Sequence, residues 1–206
     1  MNDIWLIVHA ERRALANDLE NLTVEEWATQ SLCAEWDIHD VLAHLVASAK
    51  TTPWQFIKHF VAAGFDFDKA NAKEVADERR ADPADTLAEF RAVQARRSSP
   101  PAPKETRLVE EFVHGEDIRR PLGIARVYPH DAVGRAIISQ ARTSEAMGGG
   151  KARASNVRLS ATDTDFSLGS GPIVEGSAIS LLLALSGRDS ALADLSGPGV
   201  PLIAGP

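Results

Sequence analysis

The segment that starts at Asp37 constrains the fold of this chain more than any other part of it. Asp37 is a good helix N-cap, and Asp40 places a negative charge three residues later, where it favours the helix dipole. The apolar residues that follow lie on one face of a helix: Ile38, Val41, Leu42, Leu45, Val46 and Ala49. The pattern predicts an amphipathic helix that packs its apolar face against other helices.

Three more long helices are predicted before residue 125. One covers residues 3–20, a second starts at Asp82-Pro83, and another runs from about residue 104 to 120, where Pro121 and Gly123 end it. A short helical turn is predicted after Thr23, and Pro53 is expected to kink or break the helix that starts at Asp37. Four long helices joined in this way predict a bundle.

The pattern changes after Pro129. A fifth helix is predicted over residues 132–146, followed by alternating runs typical of strands. The remaining predicted elements are strands at 157–161, 166–168 and 172–176, an apolar helix at 177–185 and a last strand at 201–203. The chain is therefore predicted to be α+β, with a helical bundle at residues 1–125 and a small α/β domain at 126–206.

Composition disfavours several classes of function. The 206 residues carry a net charge of -7, which disfavours nucleic-acid binding, and no apolar run approaches the roughly 20 residues that span a bilayer. The single cysteine cannot form an intrachain disulfide. The first residues lack the basic start and cleavage site of a signal peptide. We expect a cytoplasmic protein, monomeric or homodimeric, without nucleic-acid or membrane partners.

His44 and the pair Glu110 and His114 are the candidate metal ligands. Residues four apart stack on one helix face, so Glu110 and His114 can bind one ion, and His44 can supply a third ligand from a neighbouring helix. Three protein ligands leave a position open, as in catalytic zinc sites. Glu111, three residues before His114, is an alternative carboxylate. A packed core histidine and a solvated ion pair would explain the same residues without a metal.

Three other residues have candidate roles close to this site. Asp117 can orient a ligand imidazole or form a salt bridge at the helix end. Cys33 has no base nearby in sequence and is expected to be a buried structural cysteine. Arg188 can bind a substrate carboxylate or stabilise the end of its helix.

Two sequence stretches resemble the signatures of a known family. Residues 33–45 read CAEWDIHDVLAHL and residues 110–123 read EEFVHGEDIRRPLG. They resemble C-x-x-W-x-[VI]-x-D-V-L-A-H-L and E-x-x-x-H-G-x-D-I-R-R-P-L-G of the mycothiol-dependent maleylpyruvate isomerase family. Residues 176–188 are similar to a helix in that family's carboxy-terminal domain.

The resemblance implies a fold, a metal site and a class of reaction. It implies a DinB-like four-helix bundle that holds a divalent metal, usually zinc, followed by a domain resembling sterol carrier proteins. It makes His44, Glu110 and His114 the metal ligands. It also implies a low-molecular-weight thiol, commonly mycothiol, and in some members the isomerisation of maleylpyruvate to fumarylpyruvate. One departure is Glu175, which stands where the family commonly has a basic residue before its last helix.

Three functions follow as hypotheses. The first is a thiol-dependent isomerase or S-transferase acting on a small electrophile. The second is a metal-dependent hydrolase that activates water and needs no thiol. The third is a non-enzymatic module that binds an apolar ligand in the carboxy-terminal domain.

Overall fold

The protein, described by a computed structural model over residues 3–204, divides into two units, the first ending at Arg126 and the second beginning at Val127. The sequence places this boundary between residues 125 and 126. The helices of the first unit are α1 (Ile4–Asp18), α2 (Val24–Trp27), α3 (Ile38–Lys50), α4 (Pro53–Ala62), α5 (Phe67–Glu78), α6 (Pro83–Val93) and α7 (Thr106–Arg119).

Capping residues explain where several of these helices start. The Asp37 side chain accepts a hydrogen bond from the Asp40 N–H, and the Asp40 side chain accepts one from the Asp37 N–H. The two bonds form a capping box for α3. Thr23 forms the same arrangement at α2. Pro53 does not kink α3, because α3 has already ended at Lys50 and Pro53 starts α4.

The four predicted long helices form the core of the first unit. Helix α3 packs against α6 and α7, and α1 packs against α6 and α7. Their buried faces share one apolar cluster, whose largest members include Leu15, Leu19, Ile38, Leu42, Leu45, Phe90 and Ile118. Removal of apolar side chains of this size from water, between facing helices, is the main stabilising contribution to such a bundle.

Helix α5 was not predicted from the sequence. Its residues show no strong apolar face, and the helix buries Ala70 and Val75 while most of its surface is exposed. It packs against α3, so a tertiary contact stabilises a helix whose own periodicity is weak.

The second unit combines a small sheet with helices. Its elements are α8 (His130–Gln140), α9 (Lys151–Ala154), β1 (Arg158–Ala161), β2 (Ser167–Gly169), β3 (Ile173–Gly176), α10 (Ala178–Leu185) and α11 (Val200–Ile203). Strand β1 is central, antiparallel to β2 and parallel to β3. Helix α10 packs against α8, and Leu181 to Leu185 are completely buried. The predicted α+β class is confirmed.

Two predicted elements of this unit were wrong. The helix predicted to reach residue 146 ends at Gln140, because the chain turns back and the Gly150 N–H donates to the Gln140 carbonyl. A Cβ at Gly150 would lie 2.3 Å from the Leu185 carbonyl oxygen, so this approach requires glycine. The strand predicted at residues 201–203 is the helical turn α11, whose first turn contains Pro201.

Within residues 3–204, every helix is too short or too polar to cross a membrane.

Candidate metal centre

Helices α3 and α7 bring His44, Glu110 and His114 together. One potential ligand atom from each residue lies within 4.8 Å of those of the other two. The exposed fractions of the three side chains are 8%, 16% and 15%, so the cluster is largely buried but still reaches solvent. The two imidazole rings are in edge contact, with centroids 4.7 Å apart. The three predicted ligands therefore occupy one small volume.

His44 and Glu110 face each other at the distance of an ion pair. His44 Nε2 and Glu110 Oε1 are 2.8 Å apart. Yet Oε1 is buried without a hydrogen-bond partner in the described part of the chain, and so is His44 Nδ1. Two zinc ligands at about 2.0–2.1 Å in tetrahedral geometry would be about 3.3 Å apart, so the two side chains would separate slightly to hold an ion between them. An ion at this position would satisfy the orphaned carboxylate oxygen, so these residues fit a divalent metal.

The electrostatics of Glu110 suit a ligand. Burial alone would raise its pKa, but attraction to His44, with further contributions from Arg107 and His114, lowers the pKa of Glu110 well below its usual value. Arg107 is buried, with Nη2 3.8 Å from Glu110 Oε2 and Nη1 donating to Ser48 Oγ at 2.6 Å. Glu110 is therefore ionised at neutral pH, as metal binding requires.

Glu111, the alternative carboxylate, points to a different partner. Its Oε1 accepts a hydrogen bond of 2.7 Å from Arg12 Nε on α1, and both side chains are almost completely buried. Neighbouring positions on a helix face directions about 100° apart, so Glu111 faces α1 when Glu110 faces α3. The geometry favours Glu110 as the carboxylate ligand.

Asp117 lies behind His114. Its Oδ2 is 2.8 Å from His114 Nδ1, and the carboxylate is completely buried. A carboxylate that accepts from Nδ1 fixes the ring and its tautomer, and leaves Nε2 as the atom for a metal. Of the two roles considered for Asp117, this contact favours orientation of an imidazole.

Cys33 lies closer to this chemistry than its sequence context indicated. The structure places its Sγ 3.1 Å from Asp117 Oδ2. The side chain is half-buried rather than buried. Cys33, His114 and Asp117 also form a second group whose ligand atoms lie within 4.8 Å of one another. The sequence predicts a buried structural cysteine without a base nearby in sequence; in the structure Cys33 is half-buried, and its partner Asp117 lies 84 positions away in sequence.

Trp36 is a residue of the site that sequence reasoning missed. Its ring centroid is 5.0 Å from that of His44 and 6.3 Å from that of His114. The indole therefore contacts both imidazoles and restricts their orientation. The one available clue was the fixed distance of Trp36 from Cys33 in the first signature.

Arg188 belongs to the second unit. It follows α10, and its Nη1 donates to the Ser186 carbonyl at 2.7 Å. This contact ties the guanidinium to its own turn. A role of Arg188 in binding substrate stays a prediction.

A cleft in the second unit bears on the binding-module hypothesis. Its volume is about 290 Å³, and its lining includes Ile138, Leu159 and Leu168. Pockets for drug-sized ligands typically measure about 300–1,000 Å³. This cleft therefore lies at the lower end of the range of ligand pockets.

Comparison with known proteins identifies similar sequences and folds. The sequence profile described as "Mycothiol maleylpyruvate isomerase N-terminal domain" matches residues 8–135, more than half of the chain. The crystal structure of the mycothiol-dependent maleylpyruvate isomerase is similar in fold, with a TM-score of 0.56 and 13% identity. A histidine-to-alanine mutant of that enzyme gives a TM-score of 0.57 and 14% identity. Each match covers 95% of this chain and 91% of the other. No functionally curated protein matches the chain.

Proposed function

Because the chain belongs to the mycothiol maleylpyruvate isomerase family, we propose that it is a metal-dependent enzyme that uses a low-molecular-weight thiol on a small electrophilic substrate. The observation that carries the proposal is the convergence of His44, Glu110 and His114 around one point, with a buried carboxylate oxygen that has no hydrogen-bond partner among residues 3–204. The solved relatives are described as mycothiol-dependent, and we propose mycothiol or a similar thiol here.

Two imidazoles and one carboxylate are a ligand set that suits zinc, although nickel, cobalt and iron(II) are compatible with it. A divalent ion held by these residues supplies a Lewis acid that favours the ionised form of a thiol. Asp117 holds His114 in the required orientation, and Trp36 restricts both rings. Glu110 neutralises part of the positive charge of the ion.

The reaction we favour is a cis–trans isomerisation. The thiol sulfur adds to one carbon of an activated double bond and a proton adds to the other, which leaves a single bond that can rotate. Elimination of the same thiol and proton then returns the trans double bond. In the S-transfer version the thiol stays attached, and no elimination follows. Both versions need a thiol next to the metal ligands.

Glu175 bears on the choice of substrate. It is exposed on β3, at the position where the resemblance to the family implies a basic residue. A carboxylate there repels a second carboxylate, so we propose that the substrate differs from a dicarboxylate such as maleylpyruvate. Arg188 is the proposed partner for a single substrate carboxylate.

Metal content tests the proposal directly. Elemental analysis of the purified protein is expected to give one divalent ion per chain, and the His44→Ala variant is expected to lose it. The physical reason is that removal of one of three ligands costs most of the affinity. Circular dichroism should show unchanged helical content in the variant.

Thiol dependence separates the enzyme from a hydrolase with the same ligands. Metal-loaded protein is assayed with activated alkenes in the presence and absence of mycothiol. Turnover that requires the thiol supports the proposal, whereas ester or amide hydrolysis without thiol supports the hydrolase. Failure to bind a stoichiometric metal would end both.

A further inference from the structure

The loop between α2 and α3 is docked beside the metal ligands. Gln30 Nε2 donates to the carbonyls of Cys33 and Trp36, at 2.7 and 2.8 Å, and Ser31 Oγ donates to the Trp36 carbonyl at 2.7 Å. The Leu32 N–H donates to the Asp117 carbonyl of α7 at 3.2 Å. The loop is therefore held in one conformation and presents two side chains to the site, Cys33 and Trp36.

A continuous row of contacts leads from this loop to a metal ligand. The Cys33 thiol donates to Asp117 Oδ2 at 3.1 Å, and the same oxygen lies 2.8 Å from His114 Nδ1. His114 then contributes to the cluster with His44 and Glu110. The thiol is thus two contacts away from His114, a proposed ligand of the ion.

We propose that Cys33 is a positioning residue for the metal centre, acting through Asp117 on His114. The proposal rests on the proposed function, since it assumes that His114 is a ligand. The thiol donates a hydrogen bond to the carboxylate and keeps Oδ2 aimed at His114. A carboxylate held from both sides fixes the ring direction more tightly than one held from the histidine side alone.

The placement of the donor distinguishes this role from plain packing. Asp117 is completely buried, whereas Cys33 is half-buried. Cys33 packs against the edge of the apolar cluster, and in addition its sulfur lies at hydrogen-bond distance from an ionisable oxygen, a contact that packing alone does not require. The arrangement also accounts for the spacing of the first signature, because Cys33 reaches Asp117 while Trp36, three residues later, contacts the ligand imidazoles.

Cobalt(II) substitution tests the proposal, because the visible absorption of cobalt reports the geometry of its ligands. The full-length wild type is compared with Cys33→Ala, Cys33→Ser and Asp117→Asn. Loss of an outer partner of a ligand histidine typically costs about 10- to 100-fold in metal affinity, which is the loss expected for Asp117→Asn. Cys33→Ala is expected to shift the cobalt spectrum in the same direction and to lower zinc affinity by a smaller factor.

The serine variant and a loop control make the test specific. Cys33→Ser keeps a donor to Asp117 and should restore the wild-type spectrum and affinity. Ser31→Ala removes a hydroxyl that accepts from the Cys33 N–H and donates within the loop, without touching Asp117. It should lower the unfolding temperature and leave the cobalt spectrum unchanged. An equal spectral change in Ser31→Ala would assign the effect to loop order and overturn the proposal.

Two further outcomes are decisive. A sulfur-to-cobalt charge-transfer band that disappears in Cys33→Ser would make Cys33 a ligand in the second group with His114 and Asp117, and would overturn the positioning role. A wild type that binds no cobalt would instead overturn the proposed function. In that case the nitrogen chemical shifts of the His114 ring in metal-free protein still test whether Cys33 positions this ring through Asp117. Unchanged shifts in Cys33→Ala would exclude the positioning role.

Discussion

At the scale of single residues, Glu110 and Glu111 show what sequence leaves open. Both carboxylates stand at helical spacing from His114, and the choice between them depends on partners far away in sequence. Arg12, 99 positions from Glu111, pairs with that residue, while His44 of α3 faces Glu110. The candidate ligands could be selected from spacing and from the signatures. The partner of each carboxylate, and the contact of Cys33 with Asp117, required the folded chain.

A matched pair of variants tests this assignment. Glu110→Gln is expected to reduce zinc affinity by more than the roughly 10- to 100-fold that loss of an outer partner costs, because a neutral amide replaces a charged ligand. Glu111→Gln is expected to retain zinc but to lower the free energy of unfolding by about 3 kcal/mol, since Arg12 loses its buried counter-charge. Chelator competition measures the affinity, and urea denaturation measures the stability.

The two variants are each other's control. The assignment predicts that Glu110→Gln changes the zinc affinity and that Glu111→Gln changes mainly the free energy of unfolding. If Glu111→Gln lost the metal while Glu110→Gln kept it, Glu111 would be the ligand and the geometry described here would be rejected.

At the scale of elements, local chemistry predicted some helices and tertiary contacts decided others. Helix α3 could be predicted because a capping box and a one-sided apolar pattern agree. Helix α5 could not be predicted, because its few buried residues show no clear helical period in the sequence. The turn α11 was read as a strand because three residues, Pro201 to Ile203, are too few to show any period.

An ion-pair network joins helices α3, α5 and α6, and it predicts that the free energy of unfolding depends on pH. Lys50 Nζ on α3 lies 2.8 Å from Glu78 of α5 and 2.6 Å from Glu89 of α6. The hydrogen bond from Lys50 lowers the pKa of Glu89 below its usual value. A carboxyl group whose pKa is lowered by folding stabilises the protein above its unfolded pKa, and that stabilisation is lost as the pH falls through the folded pKa.

Lys50→Met is therefore expected to lower the free energy of unfolding by up to about 1 kcal/mol at pH 7, a value limited by solvent screening of partly exposed groups. The difference from wild type should shrink as the pH falls through the lowered pKa of Glu89, because this carboxyl group then becomes protonated. Urea denaturation across this range of pH measures both values.

Lys73→Met is the control, because Lys73 pairs with Asp77 within α5 and both side chains are more than half exposed. A Lys50→Met deficit that stayed constant down to pH 3 would show that the lost contribution is packing.

At the scale of the whole molecule, all three proposed ligands belong to the first unit, and they come from two of the four bundle helices. The family and the α+β class could be predicted from sequence because both signatures fall on these two helices and their flanks. An ion between α3 and α7 would crosslink the bundle at one level of its core. Metal binding should therefore stabilise the bundle as a linked equilibrium, since the unfolded chain does not hold the three ligands together.

Hydrogen exchange of the intact protein measures this effect element by element. With free zinc at about 100 times its dissociation constant, the bundle should gain about 2.7 kcal/mol against opening, which slows the exchange of the most protected amides in α3 and α7 by about 100-fold. Amides of α10 in the second unit report whether zinc acts elsewhere, and they are expected to gain less protection. The His44→Ala variant should show no gain in either unit. Equal protection of α3 and α7 with and without zinc in the wild type would mean that the ion does not bind between these helices, because a ligand held by the folded bundle alone must oppose its opening.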